Sequence, residues 1–357
     1  MGKEFINTDT VSLDEENNSL IIIDQTKLPG ETVLLSLTDR DEIYDAIKTL
    51  KVRGAPAIGV SAAIGIYILT KRSGAESEDK LKAFFLETKE YLASSRPTAV
   101  NLFWALDRME SAFVSAEGKG CDEIIKRLHD EASSIRDEDI EVCRKIGEYG
   151  LSLIKDGNGI LTHCNAGKLA AVRYGTALAP IYVGREKGYN FRVYTDETRP
   201  LLQGARLSAF EMHSIGVDTT VICDNMASQV MKNGWIDAIF TGCDRVAANG
   251  DCCNKIGTSG VAILAKHYGI PFYICAPTST IDINTKSGDD IPIEQRDPNE
   301  VTEMWYKERM APEGVKVYNP AFDFVENDLI TAIVTEYGVI KPPFDKAIKD
   351  IFESKKK

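Results

Sequence analysis

The chain has 357 residues, 43% of them hydrophobic and 27% charged, the balance of an ordinary globular protein with length enough for two domains. A formal charge of −12 argues against the basic face that nucleic-acid binding requires, so an anionic ligand must be held by local cations. Eight cysteines in a chain this long make no disulfide framework, and neither C-x-x-C pairs nor clustered histidines suggest a metal site. Without an N-terminal signal segment or a membrane-length apolar run, the expectation is a reducing cytoplasm.

In chain order, residues 19–24 and 32–37 predict two strands, with Lys27-Leu28-Pro29-Gly30 as the turn between them. Residues 39–51 predict an amphipathic helix whose apolar face is Ile43, Ala46, Ile47 and Leu50. Val52-Arg53-Gly54-Ala55-Pro56 then leads into residues 60–69, small and apolar enough for a buried helix. Arg53 at the mouth of that helix, with Gly54 and Ala55, is a candidate phosphate site built from a guanidinium and backbone N–H groups. Its bland alternative is a surface arginine beside a helix start. Helical periodicity continues through 81–93. Ser95-Arg96-Pro97-Thr98 breaks it, Pro97 serving as starter for a helix over 99–113. Helices over 121–135 and 137–154 follow. The division is an N-terminal α+β domain over 1–130 and a Rossmann-like domain over 131–357.

From residue 159 strands alternate with helices, beginning at 160, 191, 219, 238 and 272, which is the pattern of a parallel sheet. The fold class is therefore α/β, with a smaller N-terminal domain of β-strands and helices. No G-x-G-x-x-G follows the first of these strands, so a dinucleotide cofactor is not supported. Residues 236–260 are the most informative stretch. A buried strand stops at Gly242, Asp244 follows, and Asn249-Gly250-Asp251 turns the chain into Asn254-Lys255. Gly257-Thr258-Ser259-Gly260 opens a helix over 261–267 that Gly269 caps, and a strand over 271–276 completes a β-α-β unit. This arrangement puts an acid, a lysine, an amide and helix N–H groups beyond the C-terminal edge of the sheet, where ligands bind in open α/β folds.

Cys164 ends a strand and precedes a helix expected near Leu169, whose N-terminus would depress the thiol pKa; a buried structural cysteine is the alternative. His163 beside it faces the other side of the strand, which excludes a Cys-His dyad and leaves it packed or surface-facing. Asp244 serves as a general acid only if desolvation raises its pKa; otherwise it caps a loop. Gln203, at the opening of a helix, suits substrate hydroxyls. Lys355-Lys356-Lys357 reads as a solvated tail.

Taken together, Val52 to Gly59, Ser95 to Thr98, Thr162 to Gly167, Asp196 to Arg206, Asp224 to Ala227, Asp244 to Asp251 and Asn254 to Thr258 resemble the methylthioribose-1-phosphate isomerase family over residues 20–340. The same fold serves ribose-1,5-bisphosphate isomerases and non-catalytic regulatory subunits of a translation-initiation exchange factor. The resemblance implies an aldose–ketose isomerase with Cys164 and Asp244 as its catalytic pair. It implies that Arg53, Gly54, Ala55, Arg96, Gln203, Asn254 and Lys255 bind the sugar phosphate. It also implies no metal, no organic cofactor and a homodimer. Lys168 and Arg173 depart from the family pattern. They are either a solvated helix face or cations reaching a charged C5 substituent.

Overall fold

The computed structural model describes residues 2–97 and 99–354; Thr98 and the 355–357 tail lie outside the described residues. Its contacts group into two compact units, Met1–Cys143 with Gly167–Gly175, and Arg144–Ala166 with Thr176–Lys357.

The first unit opens with α1 (Gly2–Asn7), then β1 (Val11–Asp14), β2 (Ser19–Ile23) and β3 (Leu34–Leu37), which form an antiparallel sheet in the order β1-β2-β3. Next come α2 (Arg40–Lys48), α3 (Ala55–Arg72), α4 (Glu78–Ala93), α5 (Val100–Ser115) and α6 (Cys121–Leu151). The Asp39 side chain caps α2 by accepting from the Asp41 and Glu42 N–H groups, the usual way an N-terminal carboxylate satisfies orphan donors. Every residue of α3 from Ala57 to Thr70 is buried, as an all-round apolar helix must be. With α4 and α5 it builds a core around Ile43, Ile58, Ile64, Phe85, Met109 and Leu128. Two differences from expectation concern helix ends. Pro97 precedes the Ala99 cap of α5 instead of starting the helix. The two helices expected between 121 and 154 are one 31-residue helix, because Ile135-Arg136-Asp137 contains neither Gly nor Pro to break it.

The second unit begins in the last turns of α6 and continues through β4 (Gly159–His163), α7 (Ala179–Glu186), β5 (Arg192–Asp196), α8 (Ala209–Ser214), β6 (Asp218–Ile222), α9 (Ala227–Lys232) and β7 (Ala238–Thr241). It proceeds through β8 (Arg245–Ala247), β9 (Cys252–Lys255), α10 (Thr258–Tyr268), β10 (Phe272–Cys275), β11 (Ile281–Asp282) and α11 (Asn299–Thr302). β12 (Phe322–Val325), β13 (Ala332–Thr335), β14 (Gly338–Ile340) and α12 (Phe344–Ser354) complete it. Seven strands form one sheet in the order β14-β13-β10-β7-β4-β5-β6, parallel apart from β14. The fold is α/β, a Rossmann-like sheet unit accompanied by a smaller unit of strands and helices, as the sequence predicted. The chain starts in the middle at β4, adds β5 and β6 on one side, then crosses back to add β7, β10 and β13 on the other. The strand order therefore reverses between β4 and β7, which is where ligands enter such sheets.

A second sheet of four strands, β11-β8-β9-β12, was not foreseen. Residues 245–255 pair as an antiparallel hairpin with Val246 opposite Cys252, not as a loop between strand and helix. The stretch is too short and too polar for alternation to declare it. Among the described residues no helix is long and apolar enough to cross a membrane.

Candidate active site

Cys164 and Asp244 leave neighbouring strands at the same edge. His163 pairs with Thr241 in the β4–β7 ladder, so Cys164 follows the end of one strand directly and Asp244 follows the other by three residues. Both lie at the point where the strand order reverses. Cys164 is half-buried and adopts φ 64°, a left-handed conformation that a non-glycine residue holds only when its surroundings impose it. Those surroundings are hydroxyls and an amide. The Cys164 N–H donates to Thr198 Oγ1 at 2.8 Å, and Ser208 Oγ donates to the Cys164 carbonyl at 2.7 Å. Asn165 Nδ2 donates to Ser208 Oγ at 3.1 Å and to the buried Glu211 at 2.8 Å.

The helix expected after Cys164 is absent. Lys168–Ala170 is a single 3-10 turn, and the next α-helix begins at Ala179, so the helix N-terminus expected directly after this thiol is not there. Gly167 and Gly175 bridge to each other and close the intervening residues into a compact loop, whose apolar Leu169-Ala170-Ala171-Val172 had mimicked helical periodicity.

His163 is packed rather than surface-facing. It is 1% exposed, with Nδ1 3.0 Å from Asp196 Oδ2 and Nε2 2.9 Å from the Ile256 carbonyl. Burial opposes its charge, but the Asp196 hydrogen bond and the charges of Asp196 and Asp224 outweigh it, so its pKa lies above the ordinary value. Asp196 is itself pushed up by burial against the pull of His163. His163, Asp196 and Asp224 bring ligand-type atoms within 4.8 Å of one another. Both Asp224 oxygens already accept backbone N–H groups, from Thr198 at 2.7 Å and Arg199 at 2.8 Å. The trio reads as a hydrogen-bonded scaffold under the Cys164 turn.

Asp244 is exposed, its N–H donating to the Cys253 carbonyl at 2.8 Å. The burial that an acid role demands is thus not supplied around Asp244 in the structure. Gln203 is 6% exposed, and its buried Oε1 has no hydrogen-bond partner among the described residues, the state of an acceptor awaiting a ligand hydroxyl.

Asn254 and Lys255 lie buried on β9 rather than on a loop. Asn254 Nδ2 donates to Thr258 Oγ1 at 3.1 Å; Lys255 Nζ donates to the Ala321 carbonyl at 3.0 Å and sits 4.6 Å from the Phe322 ring centre. The phosphate seat expected at the start of α10 is also filled. Asp323 accepts from the Gly257 N–H at 2.8 Å, from the Ser259 N–H at 3.3 Å and from Ser259 Oγ at 2.7 Å. A carboxylate there takes the place of an anionic ligand, and Asp323 lies too far along the chain for residues 257–260 to reveal it.

The remaining candidates belong to the first unit. Gly54 caps α3 at φ 91° and ψ 135°, and a Cβ there would fall 2.5 Å from Ala170 Cα and O. Close backbone approach thus requires glycine at 54. No side chain caps the first turn of α3 and no acid lies in it, so half-buried Arg53 and this helix start form an electropositive corner suited to phosphate. Ala55 is exposed at that corner and Arg96 is half-buried.

Lys168 is not on a solvated face. It is 2% exposed, and Nζ donates to the Phe5 and Ile6 carbonyls at 2.8 and 3.1 Å. Arg173 forms a two-pronged pair with Asp9 at 2.8 Å. Sequence reading missed Thr198, Ser208, Glu211 and Asp323. Of these, Thr198 stood within the polar run 196–200 at the end of β5, and Glu211 was a lone acid between Phe210 and Met212.

Residues 51–342 match the Initiation factor 2 subunit family. The chain belongs to this family. A methylthioribose-1-phosphate isomerase of Symbiobacterium thermophilum is 62% identical over 97% of this chain and 96% of its own. A 5-deoxyribose 1-phosphate isomerase of Petrotoga mobilis is 57% identical over 96% and 99%. Among solved structures, 5-methylthioribose 1-phosphate isomerase from Pyrococcus horikoshii superposes with a TM-score of 0.94 at 43% identity, covering 99% of this chain and 98% of its own. The translation initiation factor eIF-2B, subunit delta, from A. fulgidus gives 0.89 at 41% identity, covering 96% and 100%.

Proposed function

We propose that this protein is an aldose–ketose isomerase acting on 5-methylthioribose 1-phosphate, with 5-deoxyribose 1-phosphate as a further substrate. The observation that carries the reading is the pairing of Cys164 and Asp244 on adjacent strand ends at the switch point of the sheet. The names of relatives at 62% and 57% identity supply the substrate class.

A sugar 1-phosphate has its anomeric oxygen esterified, so the ring cannot open to a free aldehyde. Asp244 protonates the ring oxygen as its bond to C1 breaks. Cys164 then removes the C2 proton, which leaves an enol, and returns it at C1 as the C2 hydroxyl gives its proton back to Asp244, restoring the acid and leaving the 2-ketose 1-phosphate. Direct hydride transfer from C2 to C1, with Cys164 polarising the substrate, is the competing route. Carrying out the reaction in deuterium oxide separates them, because a thiol in contact with solvent delivers deuterium to C1 and a hydride shift does not. Arg53 and the start of α3 suit the phosphate, while Gln203 Oε1, buried and without a partner among the described residues, suits a sugar hydroxyl. Arg96, Asn254 and Lys255 complete the proposed binding set.

A charged C5 group finds less support. Lys168 and Arg173 are held by Phe5, Ile6 and Asp9, which counts against ribose 1,5-bisphosphate. A non-catalytic binding or regulatory role on the same fold is opposed by the presence of both Cys164 and Asp244. The resemblance further implies a homodimer, which sedimentation tests directly. The deciding experiment is turnover of the three sugar phosphates by purified protein, and inertness towards all three overturns the reading.

A further inference from the structure

His163 lies one residue from the proposed catalytic thiol, is enclosed on every side, and takes no part in the chemistry just described. Its two ring nitrogens face two groups that accept hydrogen bonds, Asp196 Oδ2 at 3.0 Å and the Ile256 carbonyl at 2.9 Å. A carbonyl cannot donate, so Nε2 must carry a hydrogen. The ring satisfies both neighbours at once when Nδ1 carries one as well, which makes it an imidazolium. The other arrangement moves that proton to Asp196, against the ordinary order of aspartate and histidine pKa values.

The surroundings also favour a cation. Asp196 bonds to it from β5, Asp224 stands close by in the turn after β6, and the charge of His163 is also felt at Asp323 on β12. The second Asp196 oxygen is buried with no hydrogen-bond partner among the described residues, so the imidazolium is what compensates that carboxylate. The ring also packs on the turn before α10, since a Cβ on Gly257 would lie 3.0 Å from His163 Cε1. Ile256 directly follows Asn254 and Lys255.

The geometry points to His163 as a positioning residue that, as a buried imidazolium, ties the Cys164 turn to the Asn254–Ile256 segment and so sets the thiol in register with the substrate. Losing the Nδ1 proton removes the bond to Asp196 that holds the ring in place while Nε2 still donates to Ile256, so the tie loosens as pH rises. This rests on the isomerase reading for the kinetic consequence, but the protonation state and the tie itself stand apart from it. His163 touches no reacting atom; it acts through Cys164. A shift of the thiol by about 1 Å is sufficient to cost on the order of a hundredfold in rate.

The test has two independent arms. In protein labelled with nitrogen-15 histidine, long-range proton–nitrogen spectra from pH 6 to 9 report the protonation of each ring nitrogen, with His163→Gln supplying the assignment. Both nitrogens protonated at pH 7, with one proton lost only at a pH above the ordinary histidine value, is the expected result. A bare Nδ1 at pH 7 overturns the proposal.

In the second arm, wild type and His163→Gln are compared in turnover and in alkylation of the Cys164 peptide by iodoacetamide, followed by mass spectrometry. Wild type is expected to show a fall in kcat at alkaline pH, and the variant to lose about a hundredfold in kcat with KM changed less than about threefold and to lack that fall. Its Cys164 is expected to alkylate at least about five times faster, because its turn is no longer tied down. Wild-type kcat, pH profile and alkylation rate in the variant overturn the proposal. If wild type turns over no sugar phosphate, the isomerase reading fails by itself, and the spectra and alkylation still decide the role of His163. If His163→Gln does not fold, the spectra of the wild-type protein decide, their histidines then being assigned by substituting the other three in turn.

Discussion

Gly54→Ala is a sharp test of how the first unit presents its helix start. The residue sits at φ 91° and ψ 135°, a conformation that costs a non-glycine residue about 1–3 kcal/mol. The added Cβ would also lie 2.5 Å from Ala170 Cα and O, where unstrained carbon contacts need about 3.5 Å or more. Neither atom belongs to a side chain that can swing aside, so the start of α3 or the 168–170 turn must move by about 1 Å, an overpacking cost of roughly 1–3 kcal/mol. The expected sum is about 3 kcal/mol or somewhat more, which lowers Tm by roughly 6–12 °C. Turnover is expected to fall at least about a hundredfold because the phosphate corner moves with the helix. Thermal unfolding and steady-state kinetics on the same preparation measure both. Wild-type Tm together with wild-type kcat/KM would refute the reasoning. An unchanged Tm with lost turnover would show that glycine serves only close approach of the ligand.

Gln203→Leu removes a buried oxygen that has no hydrogen-bond partner among the described residues, so Tm is expected to hold or rise slightly. KM for the sugar phosphate is expected to rise about tenfold, the worth of one hydrogen bond. Asp139 is pushed up to about 7 by burial, against the pull of the Val172 N–H it accepts at 2.8 Å. A carboxyl whose folded value is raised binds more protons folded than unfolded, so stability falls as pH climbs from about 4 to about 7. Asp139→Asn is expected to remove that dependence, its advantage in Tm growing across this window. A gap independent of pH would contradict the sign. The gain is at most about 4 kcal/mol for a displacement of that size, and less because the residue is half-buried.

The fold was legible where periodicity was long. The second-half strands and α3 announced themselves through apolar runs bounded by Gly or polar residues, and Gly269 at φ 69° caps α10 as its position suggested. Legibility failed where partners are distant in sequence. Arg245–Lys255 looked like a polar loop because the strands that cover it, β11 and β12, lie about 30 and 70 residues further on. Asp323 filled the α10 seat from 64 residues away, counted from Ser259, and no local pattern reveals such a cap. The opposite faces of His163 and Cys164 were argued from strand alternation, which ends at Cys164 because its φ is positive. The dyad was rejected on that rule, yet the histidine is tied into the turn by Asp196 and Ile256. Buried Lys168 shows the same limit, since a lysine in a short apolar segment gives no hint that backbone carbonyls 162 and 163 residues earlier hold it.

The central claim is chemical, that Cys164 and Asp244 at the sheet's switch point convert an aldose 1-phosphate to a ketose 1-phosphate. The most direct measurement follows 5-methylthioribose 1-phosphate, 5-deoxyribose 1-phosphate and ribose 1,5-bisphosphate by NMR with wild type, Cys164→Ser and Asp244→Asn, chelator present. The account predicts a ketose product from the first two substrates with wild type. It predicts a loss of at least about a thousandfold in each variant, with Tm within about 2 °C of wild type. Near-wild-type turnover in both variants, or turnover of the bisphosphate alone, would contradict it.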